Sequence, residues 1–84
     1  MRNQITLTAL IVSDEDGGYV SRCVELDIAS QGKTAEEARA NMVEAVELYF
    51  ETASKTEITD KLKDKVVVSS FVPTIPEASA FQYA

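Results

Sequence analysis

QGKTAEEARANMVEAVELYFE, Gln31 to Glu51, decides how the rest of this chain is read. It is a glycine turn, a capped helix start and an amphipathic helix in succession. Thr34 and Glu37 have the T-x-x-E spacing of a capping box. In that motif the threonine oxygen accepts from the Glu37 N–H and the glutamate reaches back to the Thr34 N–H. Gly32 permits a turn that a residue with a Cβ resists. Ala35, Ala38, Met42, Ala45, Val46, Tyr49, Phe50 and Ala53 recur at three- and four-residue spacing, which predicts one buried face on a helix from Ala35 to Ala53. Glu36, Arg39, Glu44, Glu47 and Glu51 fall on its polar side. Glu36 and Glu37 suit the positive end of the helix dipole, and Lys55 the negative end. Glu51 and Lys55 are spaced as an i,i+4 pair.

Working outward toward the N-terminus, Ile28 to Gln31 (IASQ) predicts a short strand, joined through Asp27 to a longer one, Tyr19 to Leu26 (YVSRCVEL). In the longer strand Tyr19, Ser21 and Cys23 share one face, and Val20, Arg22 and Val24 the other. Ser13 to Gly18 (SDEDGG) is a turn cluster. Its Asp16-Gly17-Gly18 end tolerates the positive φ of a tight hairpin. Ile5 to Val12 (ITLTALIV) predicts the first strand, with Ile5, Leu7, Ala9 and Ile11 on one side. The other side becomes apolar toward Leu10 and Val12, as expected where a second subunit or a partner covers it.

Toward the C-terminus, Ser54 to Asp64 (SKTEITDKLKD) is a polar connector with a helical turn near Thr59 to Leu62. Lys65 to Val72 (KVVVSSFV) predicts a final strand. The predicted fold is therefore α+β: a three-stranded antiparallel meander, one long helix and a last strand, β-β-β-α-β. It occupies residues 1–72, followed by an apolar tail, 73–84, that its two prolines start off extended.

Composition narrows the function. Eighty-four residues make one domain with a thin core, burying about 60–65% of the unfolded surface. Self-association to a dimer or higher oligomer is the expected remedy. The net charge is −6, and Lys33, Lys55, Lys61, Lys63 and Lys65 are scattered, so direct DNA or RNA binding is disfavoured and a basic protein partner is favoured. With no histidine, the commonest general base and metal ligand is missing. Cys23 is the sole cysteine and reads as a buried thiol. Asp14, Glu15 and Asp16 lack the spaced series of a calcium loop and read as a solvated hairpin tip. No P-loop, GxGxxG or CxxC is present. No cofactor or metal is expected. The apolar run Ala9 to Val12 is too short to span a membrane, and the expected location is cytoplasmic.

DEDGGYVSRCVELDIASQGKTAEEARANMVEAVELYFE, Asp14 to Glu51, resembles the core signature of the HicB family of antitoxins and its short HicB-like relatives. The shared pattern is an acidic-glycine hairpin tip including Gly17, a strand ending near Glu25-Leu26, and G-x-T-x-E-E-A at Gly32, Thr34, Glu36, Glu37 and Ala38. It continues through Asn41, Glu44, Ala45 and Tyr49. Many members have Pro-Gly-Cys near the end of the second strand; Asp27, Ile28 and Ala29 stand there instead, as in the shorter subgroup.

The resemblance implies a domain similar to a truncated ribonuclease H fold, usually oligomeric. It also implies a partner: HicA, a small basic toxin that cleaves messenger RNA and that the antitoxin neutralises by covering its surface. Many members carry a C-terminal DNA-binding unit, which the proline-containing tail is not expected to form. The candidate partner-binding residues are the exposed acids Glu44, Glu47 and Glu51 with the aromatics Phe71, Phe81 and Tyr83. Two alternatives remain: a stand-alone oligomeric structural or regulatory domain, and a metal-dependent nuclease using Asp14, Asp16 and a helix glutamate. Ribonuclease H chemistry needs carboxylates converging from the first strand and the helix. Ile5 to Val12 contains none, so no catalysis is expected.

Overall fold

The computed structural model describes residues 4–76. Three short strands, β1 (Ala9–Ser13), β2 (Tyr19–Cys23) and β3 (Ile28–Gly32), form an antiparallel sheet in the order β1-β2-β3. The helices α1 (Ala35–Thr52) and α2 (Lys55–Lys61) follow. Ile11, Ser21 and Ser30 lie across from one another, as do Ala9, Cys23 and Ile28. Because side chains alternate along a strand, these two rows point to the same face, and α1 covers it. Ser21 and Cys23 are buried, while their neighbours Val20 and Arg22 are exposed on the opposite face, as the alternation predicts.

The β1–β2 hairpin turns through Asp14 to Gly18. Gly17 N–H donates to Asp14 O at 3.0 Å and Asp14 N–H to Gly18 O at 2.9 Å, with Gly17 and Gly18 at φ of +99° and +82°. The predicted second strand runs to Leu26, but pairing stops at Cys23. Residues 24–27 form a tight turn in which Asp27 N–H donates to Cys23 O at 2.8 Å and Asp27 adopts φ +57°. That turn rotates Leu26 off the alternation and into the core, where it is fully buried.

Helix α1 begins where the capping pattern places it. Thr34 is the N-cap, and its hydroxyl accepts from Glu37 N–H at 3.0 Å. The reciprocal bond differs from expectation. The Glu37 carboxylate takes the N–H of Lys33 at 2.6 Å, one residue earlier than a capping box requires. Ala38, Met42 and Val46 are the buried residues of the helix, with Val43, Tyr49 and Phe50 half-buried beside them. Cys23 and Leu26 complete the core, and Leu62 packs on it from beyond α2.

Gly32 has a different role from the turn residue expected. It ends β3 against the first turn of α1, and a Cβ there would lie 2.5 Å from Ala38 N and 2.8 Å from the carbonyl carbon of Glu37. The requirement is close approach of two backbones.

C-terminal to α1 the structure departs further from the sequence reading. α1 ends at Thr52, and Ser54 caps a second, two-turn helix. Ser54 Oγ accepts from Glu57 N–H at 3.1 Å, and the Glu57 carboxylate accepts from Ser54 N–H at 3.2 Å, a complete capping box. The predicted turn at Thr59 to Leu62 is the end of this helix. Lys55 lies in α2, so Glu51 and Lys55 are not neighbours on one helical face, and α1 has no basic residue in its last turn. α2 is held by Lys61, whose ammonium donates to Leu26 O at 3.3 Å and lies 5.8 Å from the centroid of the Tyr49 ring.

The predicted last strand, Lys65 to Val72, forms no ladder among the described residues. Backbone groups become a strand only against a partner edge, and this segment lies exposed beyond the packed unit. Among the described residues the sheet has three strands.

Gly32→Ala should lower stability by about 1–3 kcal/mol, the range for overpacking a close contact, read as a lower thermal midpoint with an unchanged fold. Met42→Ala should cost about 2–5 kcal/mol by cavity formation. The Tyr49 hydroxyl is buried with no hydrogen-bond partner among the described residues, so Tyr49→Phe should leave the midpoint unchanged or raise it by the equivalent of about 1 kcal/mol.

Candidate binding surface

The surface is organised by what fixes the sheet beneath the helix. Ser21 is fully buried in the middle of β2, and its hydroxyl donates to Ala38 O at 2.6 Å. A buried hydroxyl without a partner is costly. This one finds its acceptor in the helix backbone, so the bond ties the central strand to α1. Asn41, one turn on, donates from Nδ2 to Gln31 O at 2.8 Å and fastens β3 to the same helix.

At the other end of the sheet Thr8 is gripped by Glu25. Thr8 N–H donates to Oε1 and the Thr8 hydroxyl to Oε2, both at 2.7 Å. Thr8 O accepts from Val24 N–H at 3.0 Å. Partial burial works against the charged form of Glu25. Hydrogen bonds from the Thr8 N–H and hydroxyl, then from the Glu25 backbone N–H and the Cys23 thiol, together outweigh it and hold the carboxyl below its ordinary range. Arg22 and Asp27 form an exposed ion pair at 2.9 Å across the same turn.

Three surfaces result. The first is the sheet face away from α1, where Leu10, Val12 and Val20 are exposed beside Arg22 and Gln31. The second is an open groove of about 530 Å3 between the segment leading into β1 and the side of α1, lined by Leu7, Val43, Val46 and Phe50, with Arg39 and Glu47 at its polar margin. The third is the polar side of α1. Glu44, Glu47 and Glu51 are three and four residues apart, so they form one stripe, and all three are exposed. Asp14, Glu15 and Asp16 are exposed at the hairpin tip.

Of the residues predicted to meet a partner, Glu44, Glu47 and Glu51 thus form a continuous stripe. Phe71 stands apart from them on the unpaired C-terminal segment, 83% exposed. Phe81 and Tyr83 lie outside the described residues. The motif residues Gly17, Gly32, Thr34, Glu37 and Ala38 are scaffold: turn, close approach, caps and helix–sheet contact. Among the described residues no three of Cys, Asp and Glu converge where a metal could be held. No described helix is long and apolar enough to cross a membrane. Sequence reasoning did not pick out Glu25 or the Ser21–Ala38 bond. A serine between two inward-facing residues was the visible signal for the second; nothing in the spacing of Thr8 and Glu25 announces the first.

Two proteins of Synechocystis sp. are similar to this chain. UPF0150 protein ssr1765 is 48% identical and UPF0150 protein ssl0738 46% identical, each over 46 residues or 54% of the chain. The matched stretch is 58% of the first relative and 64% of the second, so the chain spans somewhat under two thirds of either. No family model matches the sequence. No solved structure matches it significantly.

Because the folded pKa of Glu25 is depressed, its stabilisation is present at neutral pH. It is lost as pH falls below the ordinary glutamate value, near 4.3, and through the lower folded value. Glu25→Gln should cost about 1–2 kcal/mol at pH 7 and much less near pH 3. Urea denaturation at both pH values checks this, and an equal loss at the two would contradict it.

Proposed function

We propose that this chain is a HicB-like antitoxin, a non-catalytic binding protein that neutralises a small basic, mRNA-cleaving toxin of the HicA type by covering its surface. The observation that carries the reading is the exposed carboxylate stripe Glu44–Glu47–Glu51 on a chain of net charge −6. A row of fixed charges on a rigid helix presents a potential complementary to a basic protein. Such complementarity speeds encounter and rejects acidic competitors. The signature from Asp14 to Glu51 supports the family side of the proposal, and the similarity to the two UPF0150 proteins is consistent with it. On this reading the antitoxin needs no reacting group. It needs a stable acidic surface of fixed shape, which the Thr34 cap and the Ser21–Ala38 tie supply.

The test is co-expression with the neighbouring reading frame. A small basic protein that co-purifies, and whose toxicity the chain suppresses, is the expected result. The variant carrying Glu44→Lys, Glu47→Lys and Glu51→Lys together should weaken that complex at least tenfold at low salt. Raising ionic strength should weaken the unaltered complex, because screening acts on exposed charges. Binding that survives the triple reversal would remove the stripe from the interface.

A further inference from the structure

The segment after α2 has the composition of a buried strand in an exposed position. Along Lys65 to Val72 one alternate row is Val66, Val68, Ser70 and Val72, and the other is Val67, Ser69 and Phe71. Both rows are apolar, the pattern of a strand covered on two faces. Yet Val67 is 87% exposed, Phe71 83% and Val72 97%. The radius of gyration is 16.9 Å and the long axis 55 Å, against about 11–12 Å expected for a compact chain of this length.

The same molecule carries an edge that lacks a strand. β1 pairs with β2 on one side and with nothing on the other among the described residues. Beside that free edge, on the helix side, runs the groove of Leu7, Val43, Val46 and Phe50. This is where the inward row of an added strand would be seated. The outward row would extend the exposed Leu10, Val12 and Val20 patch. The opposite edge fits less well, because Asn41 already takes the Gln31 carbonyl of β3.

We propose that residues 65–72 are a donor strand that adds to the free edge of β1 in a second copy of this chain, reciprocally, so that each four-stranded sheet is completed by its partner. Three features favour a second copy as the occupant. The donor and the acceptor edge are both present in every chain, so exchange is self-complementary and closes at two. Lys65 and Val66 lie beside Ile5, Thr6 and Leu7, at the entry to β1, yet Val67, Val68, Phe71 and Val72 beyond them are exposed and the segment joins no ladder among the described residues. Only Lys63, Asp64 and Lys65 separate the α2 cap Leu62 from Val66, and a short hinge favours exchange over folding back. Strand addition also supplies main-chain hydrogen bonds that an unpaired edge and an unpaired strand both lack. The inference does not depend on the toxin reading, since it concerns the chain alone.

The experiment uses the purified full-length chain without any other protein. Light scattering should give twice the 9.2 kDa chain mass. Val67→Pro and Val68→Pro are then made separately. Adjacent residues in a strand point their N–H groups to opposite sides, so one of the two prolines must remove a ladder bond. At least one variant should raise the dimer dissociation constant more than tenfold, with helical circular dichroism unchanged. In a mixture of labelled and unlabelled chains, isotope-filtered NOEs should connect residues 66–72 of one copy with the β1 amides of the other. A monomeric unaltered chain, a dimer indifferent to both prolines, or contacts to β1 found only within one copy would each overturn the proposal.

Discussion

The architecture depends on how closely one strand and one helix approach. Ser21 and Ala38 are both fully buried, and the hydroxyl of the first donates to the carbonyl of the second. Gly32 brings the end of β3 within a Cβ's width of the same helical turn. Small side chains at three positions let α1 lie low on the sheet, and one hydrogen bond fixes the register at which it does so. A larger residue at any of them would lift the helix and open the thin core beneath it.

From that approach the rest of the molecule follows. With the helix held low over β2 and β3, the core is limited to Cys23, Leu26, Ala38, Met42 and Val46 with a half-buried rim. The side nearer β1 is left open as the groove between Leu7 and Phe50. Domains this small bury too little apolar surface to be strongly stable alone. Individual polar contacts therefore supplement it: the Thr34 and Ser54 caps within the chain's neighbourhood, and the Glu25 clasp on Thr8 and the Lys61 contact with Leu26 across it. Glu44, Glu47 and Glu51 lie on the exposed side of α1, away from these contacts.

Much of this was legible in the residues, for local reasons. The helix start, the hairpin at Asp16-Gly17-Gly18 and the shared face of Tyr19, Ser21 and Cys23 depend on neighbours within a few positions. The capping box at Ser54 and Glu57 was equally local, and a polar run read as connector concealed it. The Glu51–Lys55 pairing failed because the helix stopped between them, at Thr52. The premature end of β2 at Cys23 was not local in that sense. It reflects the Leu26 side chain turning into the core, a gain visible only once the helix is in place.

The sequence by itself determined the order of the three strands and the long helix, the alternation of side chains in the first two strands, the start of α1 and the acidity of its outer side. These are set by side-chain periodicity, cap chemistry and composition, which act over short range. Tertiary structure alone decided which carboxylate clasps Thr8, where Lys61 reaches and whether Lys65 to Val72 is a strand. Each of these requires two groups far apart in the chain to meet. For the last of them the valine-rich sequence supplies only half of a ladder, and an edge in space must supply the other.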